Sequence, residues 1–416
     1  MSTSLRKEFR ERQAADLARQ AGLRRPEPWK KRGSDRFACF IDASRFVMVA
    51  GPHEESHADL GLAYGLTWAE GRRLVLVLPE DHAFPTLQRA PWLTREARPQ
   101  VFTHDVRVDR ESFAGGTAST VRLPSRKATL QAFSARLKAG QNLKDELRVA
   151  ATAAHFGKRS HDVAELIQWA TNHHQLDPGH RKSERSWHCR GQRVLSVHGA
   201  GGGLVVRAGV HAGDVADPAS TVVPLGTPLT GPALRAVQAQ VEEGIAARLS
   251  GAYHRADEHW LQAVIRRDPA LVGVEHPALR ELPAWRPHGG KSAWGRGFID
   301  LIGTDGRGDI RIVETKLAAN LDELFFLQGL DYYVFACAYR DVLLEWLNAP
   351  KTADMALHYV LGASPGTTRA RPSPYARAQA RALDIPWRFQ EIYDWFDPPA
   401  PAGGTRTVLQ PLGWAP

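Results

Sequence analysis

The distribution of apolar and polar positions along the chain predicts alternating strands and helices. Apolar runs at 46–50 and 74–78 are typical of buried strands, and apolar residues at helical spacing between them predict a helix over about 55–70. A further short strand is predicted around 101–102. Because a helix separates two buried strands, we expect an α/β domain over 37–125.

The predicted order of strand, helix and strand in this domain is that of a small Rossmann-like unit. The segment contains no G-x-G-x-x-G fingerprint, so nothing in it specifies a dinucleotide. It loosely resembles the Rossmann-like ligand-sensing and nucleotide-processing domains that are fused to effectors in bacterial defence proteins. Loops at the carboxyl ends of such strands are where ligands bind, which makes this domain a candidate sensor.

The middle region, 126–230, is predicted to contain helices followed by a hairpin. Residues 126–190 combine helical apolar spacing with many basic side chains, and apolar runs at 195–197 and 204–208 flank a glycine-rich turn. The glycines do not precede a helix that begins with Lys-Ser or Lys-Thr, which excludes a P-loop. A connector with proline and glycine, 217–232, marks the predicted end of this region.

The C-terminal region, 231–416, is predicted to be a second α/β domain. Helices are predicted over 232–249, 257–265, 320–346 and 375–383, and strands over 356–361 and 387–392. Two more apolar runs, 298–303 and 310–316, flank the polar, glycine-rich stretch 304–309. This pattern predicts two neighbouring strands joined by a hairpin loop.

The two neighbouring strands carry ionisable residues where burial is expected. Alternation places Glu314 and Lys316 on one face of the second strand, and Asp300 lies on the first strand. Buried charges are costly unless they pair or bind something, and two carboxylates suit Mg²⁺, beside which a lysine can orient or deprotonate a water. We therefore predict a divalent-cation site. Asp305 and Asp309 lie in the loop, where aspartate is favoured because its side chain hydrogen-bonds to the turn backbone. They are therefore not included in the predicted cation site.

The helix before these strands carries a third acid on its core side. At helical spacing Glu258 shares a face with Leu261 and Ile265. With this acidic helix, a Gly-x-x-Asp strand at 297–300 and a Glu-x-Lys strand at 314–316, residues of about 250–395 resemble the PD-(D/E)XK nuclease superfamily.

The helix predicted over 320–346 indicates which branch of the superfamily the chain resembles. The spacing of Gln328 and Tyr332 resembles that of the RecB-like branch of the superfamily. One departure is that Phe298 and Ile299, rather than a proline, precede Asp300.

The resemblance implies a restriction-endonuclease-like mixed sheet flanked by helices, and metal-dependent hydrolysis of phosphodiester bonds with Mg²⁺ or Mn²⁺. It implies the following roles: Asp300 and Glu314 as metal ligands, Lys316 acting on the attacking water, Glu258 as accessory acid, and Gln328 and Tyr332 bracing the site or contacting nucleic acid.

Composition adds a polyanionic partner and a cytoplasmic location to this picture. The formal net charge of +9 favours binding to nucleic acid. No apolar run approaches the roughly 20 residues that cross a membrane, and the N-terminus lacks a secretory signal. The three cysteines fit a reducing compartment. The basic N-terminal lead, 1–36, is either a solvated terminus or an arm that contacts phosphates.

Two other clusters have a competing metal interpretation. Residues 53–57 match HExxH, the signature of zinc proteases, but at a strand-to-helix junction and without a third ligand at a familiar distance. The alternative interpretation of residues 53–57 is purely structural: their two glutamates favour the N-terminus of a helix. The histidines between 173 and 188 and Cys189 match no zinc spacing, which favours a solvated basic loop.

The sequence therefore predicts a cytoplasmic, Mg²⁺- or Mn²⁺-dependent nuclease that acts on DNA, with RNA as the alternative substrate. By analogy, its layout suggests a regulated effector such as an anti-phage or restriction nuclease. A homo-oligomer and an activator at the N-terminal domain, small molecule or protein, are compatible with this layout. The alternatives are a non-cleaving sensor that binds nucleic acid or a nucleotide through the Rossmann-like domain, and a zinc protease at His53 and His57.

Overall fold

The structure of the chain is a computed structural model. It describes residues 3–29, 37–52, 55–109, 112–135, 140–145, 147, 157–181, 184–200, 203–209, 219–250, 257–288, 293–318, 323–363, 372–393, 395 and 406–410. Within these residues the fold is mixed α/β, as the sequence predicts, and its strands form three main sheets and one small ribbon. None of the helices in the described ranges is long and apolar enough to cross a membrane.

The N-terminal sheet has three parallel strands at its centre. Its strands are β1 (Glu27–Pro28), β2 (Ala38–Ile41), β3 (Arg45–Val49), β4 (Arg73–Pro79), β5 (Gln100–His104) and, beyond the small ribbon of β6 (Arg107–Asp109) and β7 (Ser112–Ala114), β8 (Ala118–Val121). Strands β3, β4 and β5 are parallel, whereas β1, β2 and β8 pair antiparallel. The predicted order of strand, helix and strand is confirmed here.

Helices cover both faces of the N-terminal sheet. They are α1 (Thr3–Glu8), a π-helical segment (Phe9–Gln13), α2 (Ala14–Gln20), α3 (Glu55–Trp68), α4 (Phe84–Arg89) and α5 (Arg126–Ser134). Short 3₁₀ turns lie at Glu80–His82 and Ala90–Trp92. The prediction of a solvated N-terminus is wrong for the described lead residues, because Phe9, Leu17 and Leu23 are buried against the sheet.

The middle sheet is antiparallel throughout. Its strands are β9 (Asp177–Arg181), β10 (Glu184–Cys189), β11 (Gln192–Ala200), β12 (Gly203–Ala208) and β13 (Ala219–Pro224), and its helices are α6 (Ala164–Asn172), after a 3₁₀ turn (Gly157–Val163), and α7 (Gly231–Leu249). The hairpin of β11 and β12 is confirmed. The prediction of a helical region up to 190 is wrong, because Trp187 and Cys189 lie on strand β10 and pack into this sheet's own apolar cluster.

The C-terminal sheet is mixed and follows the order β14 to β19. Its elements are α8 (Glu258–Arg267), a 3₁₀ turn (Pro269–Val272), β14 (Glu275–Pro287), β15 (Trp294–Thr304), β16 (Ile310–Leu317), α9 (Phe325–Ala338), α10 (Arg340–Trp346), β17 (Met355–Gly362), α11 (Pro374–Ala382), β18 (Trp387–Tyr393) and β19 (Arg406–Gln410). Strands β16, β17 and β18 are parallel, and the remaining pairs are antiparallel. The single helix predicted over 320–346 is instead two helices, which meet at Tyr339.

The C-terminal sheet separates two apolar clusters. Helix α8 packs on one face, where Leu261 and Ile265 contact Val313 and Val360. Helices α9 and α11 pack on the other face, and the cluster there continues without interruption into α3 and the N-terminal sheet. The site described next lies where β15 and β16 separate, with α8 on one side and α9 on the other.

Candidate active site

Asp300 and Glu314 lie where the pairing of β15 and β16 ends. The antiparallel register runs from Thr304 opposite Ile310 to Leu301 opposite Val313. The next residue on each strand is Asp300 or Glu314, so the two carboxylates follow the last paired position and face each other across the opening. The sequence-predicted hairpin therefore brings both acids to one point.

A hydrogen-bond chain from helix α8 fixes Asp300. Its Oδ2 accepts from the Thr315 backbone N at 2.8 Å and from Thr315 Oγ1 at 2.7 Å. Gln262 Nε2 on α8 donates in turn to Thr315 Oγ1 at 3.2 Å. Sequence reasoning missed Gln262 and Thr315, although Gln262 lies four residues after Glu258 on the same helix face. Burial raises the pKa of Asp300 to about 6.

Glu314 is a buried carboxylate whose hydrogen-bonding capacity is not used up. Its side chain is 1% exposed, and no described residue forms a hydrogen bond with Oε2. Burial, and then the neighbouring Asp300, hold the pKa of Glu314 well above its usual range. A buried, unpartnered carboxylate oxygen beside a second carboxylate is what a cation would stabilise. Asp300 and Glu314 therefore fit a divalent cation as two of its ligands.

Nothing in the described residues completes a protein-only metal cage. No group of three His, Cys, Asp or Glu side chains in these ranges is placed to hold a metal ion. A cation at Asp300 and Glu314 would thus keep waters or substrate oxygens in its remaining positions, as Mg²⁺ usually does.

Lys316 reaches across the opening to the start of helix α8. Its Nζ lies 2.9 Å from Glu258 Oε1, and the two side chains are 13% and 29% exposed. Burial alone would lower the pKa of Lys316, but Glu314 and Glu258 outweigh it, so the pKa is raised and the ammonium form is favoured.

The first turn of α8, which carries Glu258, is fixed by its cap. Asp257 Oδ1 accepts from the Trp260 backbone N at 2.8 Å, as an N-cap side chain does. Asp257 also pairs with Arg248 of α7 at 2.9 Å. Asp257 therefore holds the helix end that carries Glu258.

Gln328 and Tyr332 meet on helix α9 above the carboxylates. Gln328 Nε2 donates to Tyr332 Oη at 3.1 Å. Burial, followed by the charge of Glu314, raises the pKa of Tyr332, so its hydroxyl stays protonated. A Cβ at Gly297 would lie 2.7 Å from Tyr332 Oη. The glycine of the Gly-x-x-Asp strand therefore leaves room for the tyrosine hydroxyl.

The structure brings all six sequence-predicted residues into one cluster between β15, β16, α8 and α9. The pairs in contact or electrostatic range are Glu258 with Lys316, Asp300 with Glu314, Gln328 with Tyr332, and Tyr332 with Glu314. The loop acids are separate from this cluster, because Asp305 accepts from backbone N atoms of its own loop and pairs with Arg311.

The structure describes only one of the two other clusters for which the sequence allows a metal site. His53 and Glu54 lie outside the described residues, so the zinc-protease alternative stays a prediction. In the histidine-rich segment, His173 lies 3.1 Å from Glu242, and His188 lies 2.9 Å from Ser186 Oγ. The prediction of a solvated loop is wrong for His188 and Cys189, because both lie on strand β10 and Cys189 is 1% exposed.

A cavity lies at the carboxyl ends of the parallel strands of the N-terminal sheet. It has a volume of about 360 Å³, and its walls follow β3, β4 and β5. Three carboxylates, one arginine and a buried histidine line it together with two prolines and a valine: Glu80, Asp81, Asp105, Arg107, His104, Pro52, Pro79 and Val106. His104 is fixed by the Ala50 carbonyl at 2.8 Å from Nε2.

No family model matches the chain, and neither a curated protein nor a solved structure does.

Proposed function

We propose that the chain is a Mg²⁺- or Mn²⁺-dependent nuclease that hydrolyses phosphodiester bonds in DNA. The observation that carries this proposal is the meeting of Asp300, Glu314 and Lys316 at one strand opening, with a buried oxygen of Glu314 left without a described partner. The antiparallel order of β14, β15 and β16 followed by parallel β17 and β18 also suits a restriction-endonuclease-like core of the PD-(D/E)XK type.

Asp300 and Glu314 would hold the cation. When bound, Mg²⁺ or Mn²⁺ would supply charge neutralisation of the phosphate and a more acidic water. Thr315 and Gln262 keep the Asp300 carboxylate oriented through the hydrogen-bond chain.

Lys316 would orient the attacking water as a hydrogen-bond donor. Its ion pair with Glu258 keeps the ammonium charged and holds it at the opening, so it donates to a water rather than removing a proton from it. Glu258 thereby acts through Lys316. Tyr332, with its protonated hydroxyl braced by Gln328, closes the α9 side of the opening.

A cleavage assay tests the proposal. The full chain would be incubated with circular, linear and single-stranded DNA, and with RNA of the same sequence, in Mg²⁺, Mn²⁺ or EDTA. We expect cleavage of DNA with either cation and none in EDTA, and loss of cleavage in Glu314→Ala and Lys316→Ala. Glu345→Ala, which removes an exposed carboxylate of α10, serves as the control and should cut normally. Undiminished metal-dependent cleavage by both site variants would refute the assignment.

The cavity of the N-terminal sheet supports a second candidate, a sensor that binds a nucleotide without cutting. Ligands of open α/β sheets bind at the carboxyl ends of the parallel strands, where this cavity lies. The carboxylates that line it can accept hydrogen bonds from the hydroxyl groups of a ribose. Calorimetric titration with adenosine and with ATP, beside Asp81→Asn, tests it. Binding that Asp81→Asn abolishes, in a chain that cuts no DNA with any divalent cation, would favour the sensor over the nuclease.

We also propose, by analogy alone, that such a nuclease is a regulated effector of anti-phage defence or restriction. In that case the Rossmann-like N-terminal part would receive the regulating ligand.

A further inference from the structure

Arg286 lies on the strand ribbon that continues beyond the site. Strands β14 and β15 stay paired past the end of β16, through Ala284 opposite Gly297 and Arg286 opposite Gly295. Tyr332 covers the Gly297 position, since a Cβ there would be 2.7 Å from its hydroxyl. Because side chains alternate along a strand, Arg286 lies on the same face as Ala284, one step further out. The register therefore places Arg286 at the outer edge of the site.

Within the described part of the site, Arg286 carries a positive charge that is not paired with a carboxylate. Lys316 is engaged by Glu258, whereas the half-buried guanidinium of Arg286 forms no hydrogen bond or ion pair with any described residue. A Cβ at Gly295 would lie 4.0 Å from Arg286 Cγ, so the Arg286 side chain leaves the ribbon on the face that Tyr332 covers at Gly297. Three carboxylates, one lysine and a bound divalent cation would leave the site close to neutral, so the guanidinium of Arg286 would give it a net attraction for a phosphodiester.

We infer that Arg286 is a substrate-binding residue that donates hydrogen bonds to a phosphate next to the bond being cut. A guanidinium presents a rigid fork of donors that matches two phosphate oxygens, which an ammonium does not. This inference rests on the proposed nuclease function and adds a residue outside the motif. The competing role is structural, in which Arg286 only balances the buried charge of Glu314.

Kinetics and binding of Arg286→Gln and Arg286→Lys separate these roles. Binding of a fluorescein-labelled DNA duplex would be measured with Ca²⁺ at several salt concentrations, and cleavage of the same duplex with Mg²⁺. We expect Arg286→Gln to raise KM about tenfold, with a smaller change in kcat, as loss of a charged hydrogen bond predicts. Its slope of log Kd against log salt should fall by about 1, whereas Arg286→Lys should keep the slope and recover part of the affinity.

Arg296→Gln is the matched control, because this exposed arginine lies on the same ribbon on the opposite face, over the Phe298 ring at 5.0 Å. An equal loss of affinity in Arg296→Gln would overturn the inference, since the ribbon's general charge would then explain it. An unchanged KM in Arg286→Gln, with or without a lower Tm, would also overturn it. If Arg286→Gln fails to fold, Arg286→Lys is measured in its place. An unchanged salt slope with a raised KM in Arg286→Lys supports the inference, and an unchanged KM overturns it. A wild-type chain that cuts nothing would instead refute the proposed function itself.

Discussion

The N-terminal sheet and the middle sheet are attached to the C-terminal sheet in different ways. The N-terminal sheet shares one apolar cluster with α9 and the C-terminal strands, in which Trp92 meets Tyr333 and Phe133 meets Trp294. The apolar cluster of the middle sheet is formed by described residues of 163–249 alone. The middle sheet meets α8 chiefly through polar groups, among them Arg190 over the Trp260 ring at 4.3 Å.

Each attachment reaches one of the two helices that carry site residues. The N-terminal side holds α9, where Arg89 of α4 forms a bidentate ion pair with Asp331, next to Tyr332. The middle side holds the start of α8, where the Arg190–Gly191 turn lies against Glu258's neighbour His259. The comparison teaches that shared apolar packing and a buried ion pair fix the α9 side of the site, whereas contacts of partly exposed polar groups, which are individually weaker, set the α8 side.

The largest expected effect comes from breaking the buried ion pair of the N-terminal attachment. Arg89 and Asp331 are 3% and 2% exposed, so Arg89→Ala removes the ion pair from a buried carboxylate. We expect the free energy of unfolding, measured in urea, to fall by about 3–5 kcal/mol. The double variant Arg89→Met with Asp331→Leu should recover most of this loss. A single-variant loss below about 1 kcal/mol would show that this pair is no stronger than a surface contact.

A smaller effect is expected from the turn that contacts α8. Arg190 and Gly191 have φ of 45° and 78°, and a Cβ at Gly191 would lie 1.9 Å from the His259 carbonyl oxygen. Gly191→Ala must therefore push the turn away from the start of α8 and disturb Glu258, at a cost of about 1–3 kcal/mol. We expect cleavage to fall along with stability in this variant.

Gly226→Ala is the control for that substitution. Gly226 has a φ of 73° and nothing within 4 Å of its Cβ position, so it carries the backbone penalty without the clash. Cleavage in Gly226→Ala should stay normal. Equal losses of cleavage in the two alanine variants would show that the turn does not position α8.

The smallest effect is expected from the surface contact of the middle attachment. Arg267 of α8 pairs with Asp177 of β9 at 2.8 Å, and the two side chains are 45% and 19% exposed. Because the pair is screened by solvent, Arg267→Gln should lower the free energy of unfolding by less than about 1 kcal/mol. A loss as large as that of Arg89→Ala would erase the contrast between the two attachments.

The sequence predicted the parts of the site that are encoded by local spacing. Asp300, Glu314 and Lys316 lie on two strands joined by a short loop, so alternation along the strands suffices to group them. Glu258 and Tyr332 lie on separate helices and were assigned to the site through the resemblance to the nuclease superfamily. The helices and strands from 231 to 393 were predicted closely with two exceptions, the break at Tyr339 and strand β14 (Glu275–Pro287), which was not predicted.

Contacts between distant parts of the chain left no such local signal. Arg89 and Asp331 are separated by 242 residues, and Arg286 belongs to the site only through the register of β14 and β15. The strands of 177–189 were missed because basic residues and histidines dominate this segment. The inward-facing Trp187 and Cys189 alone gave too short an alternating pattern to predict a strand. The buried lead residues were missed because the arginines around them dominate the composition.

Binding of Mn²⁺ tests the central claim most directly, that the carboxylates of Asp300 and Glu314 hold a divalent cation. Electron paramagnetic resonance of free Mn²⁺, titrated with the full chain, measures the affinity without requiring any substrate. We expect wild type and the Glu345→Ala control to bind Mn²⁺ equally, and Glu314→Gln to bind it at least about tenfold more weakly, since one charged ligand is lost. Equal Mn²⁺ affinity in wild type and Glu314→Gln, or no binding in either, would contradict the account.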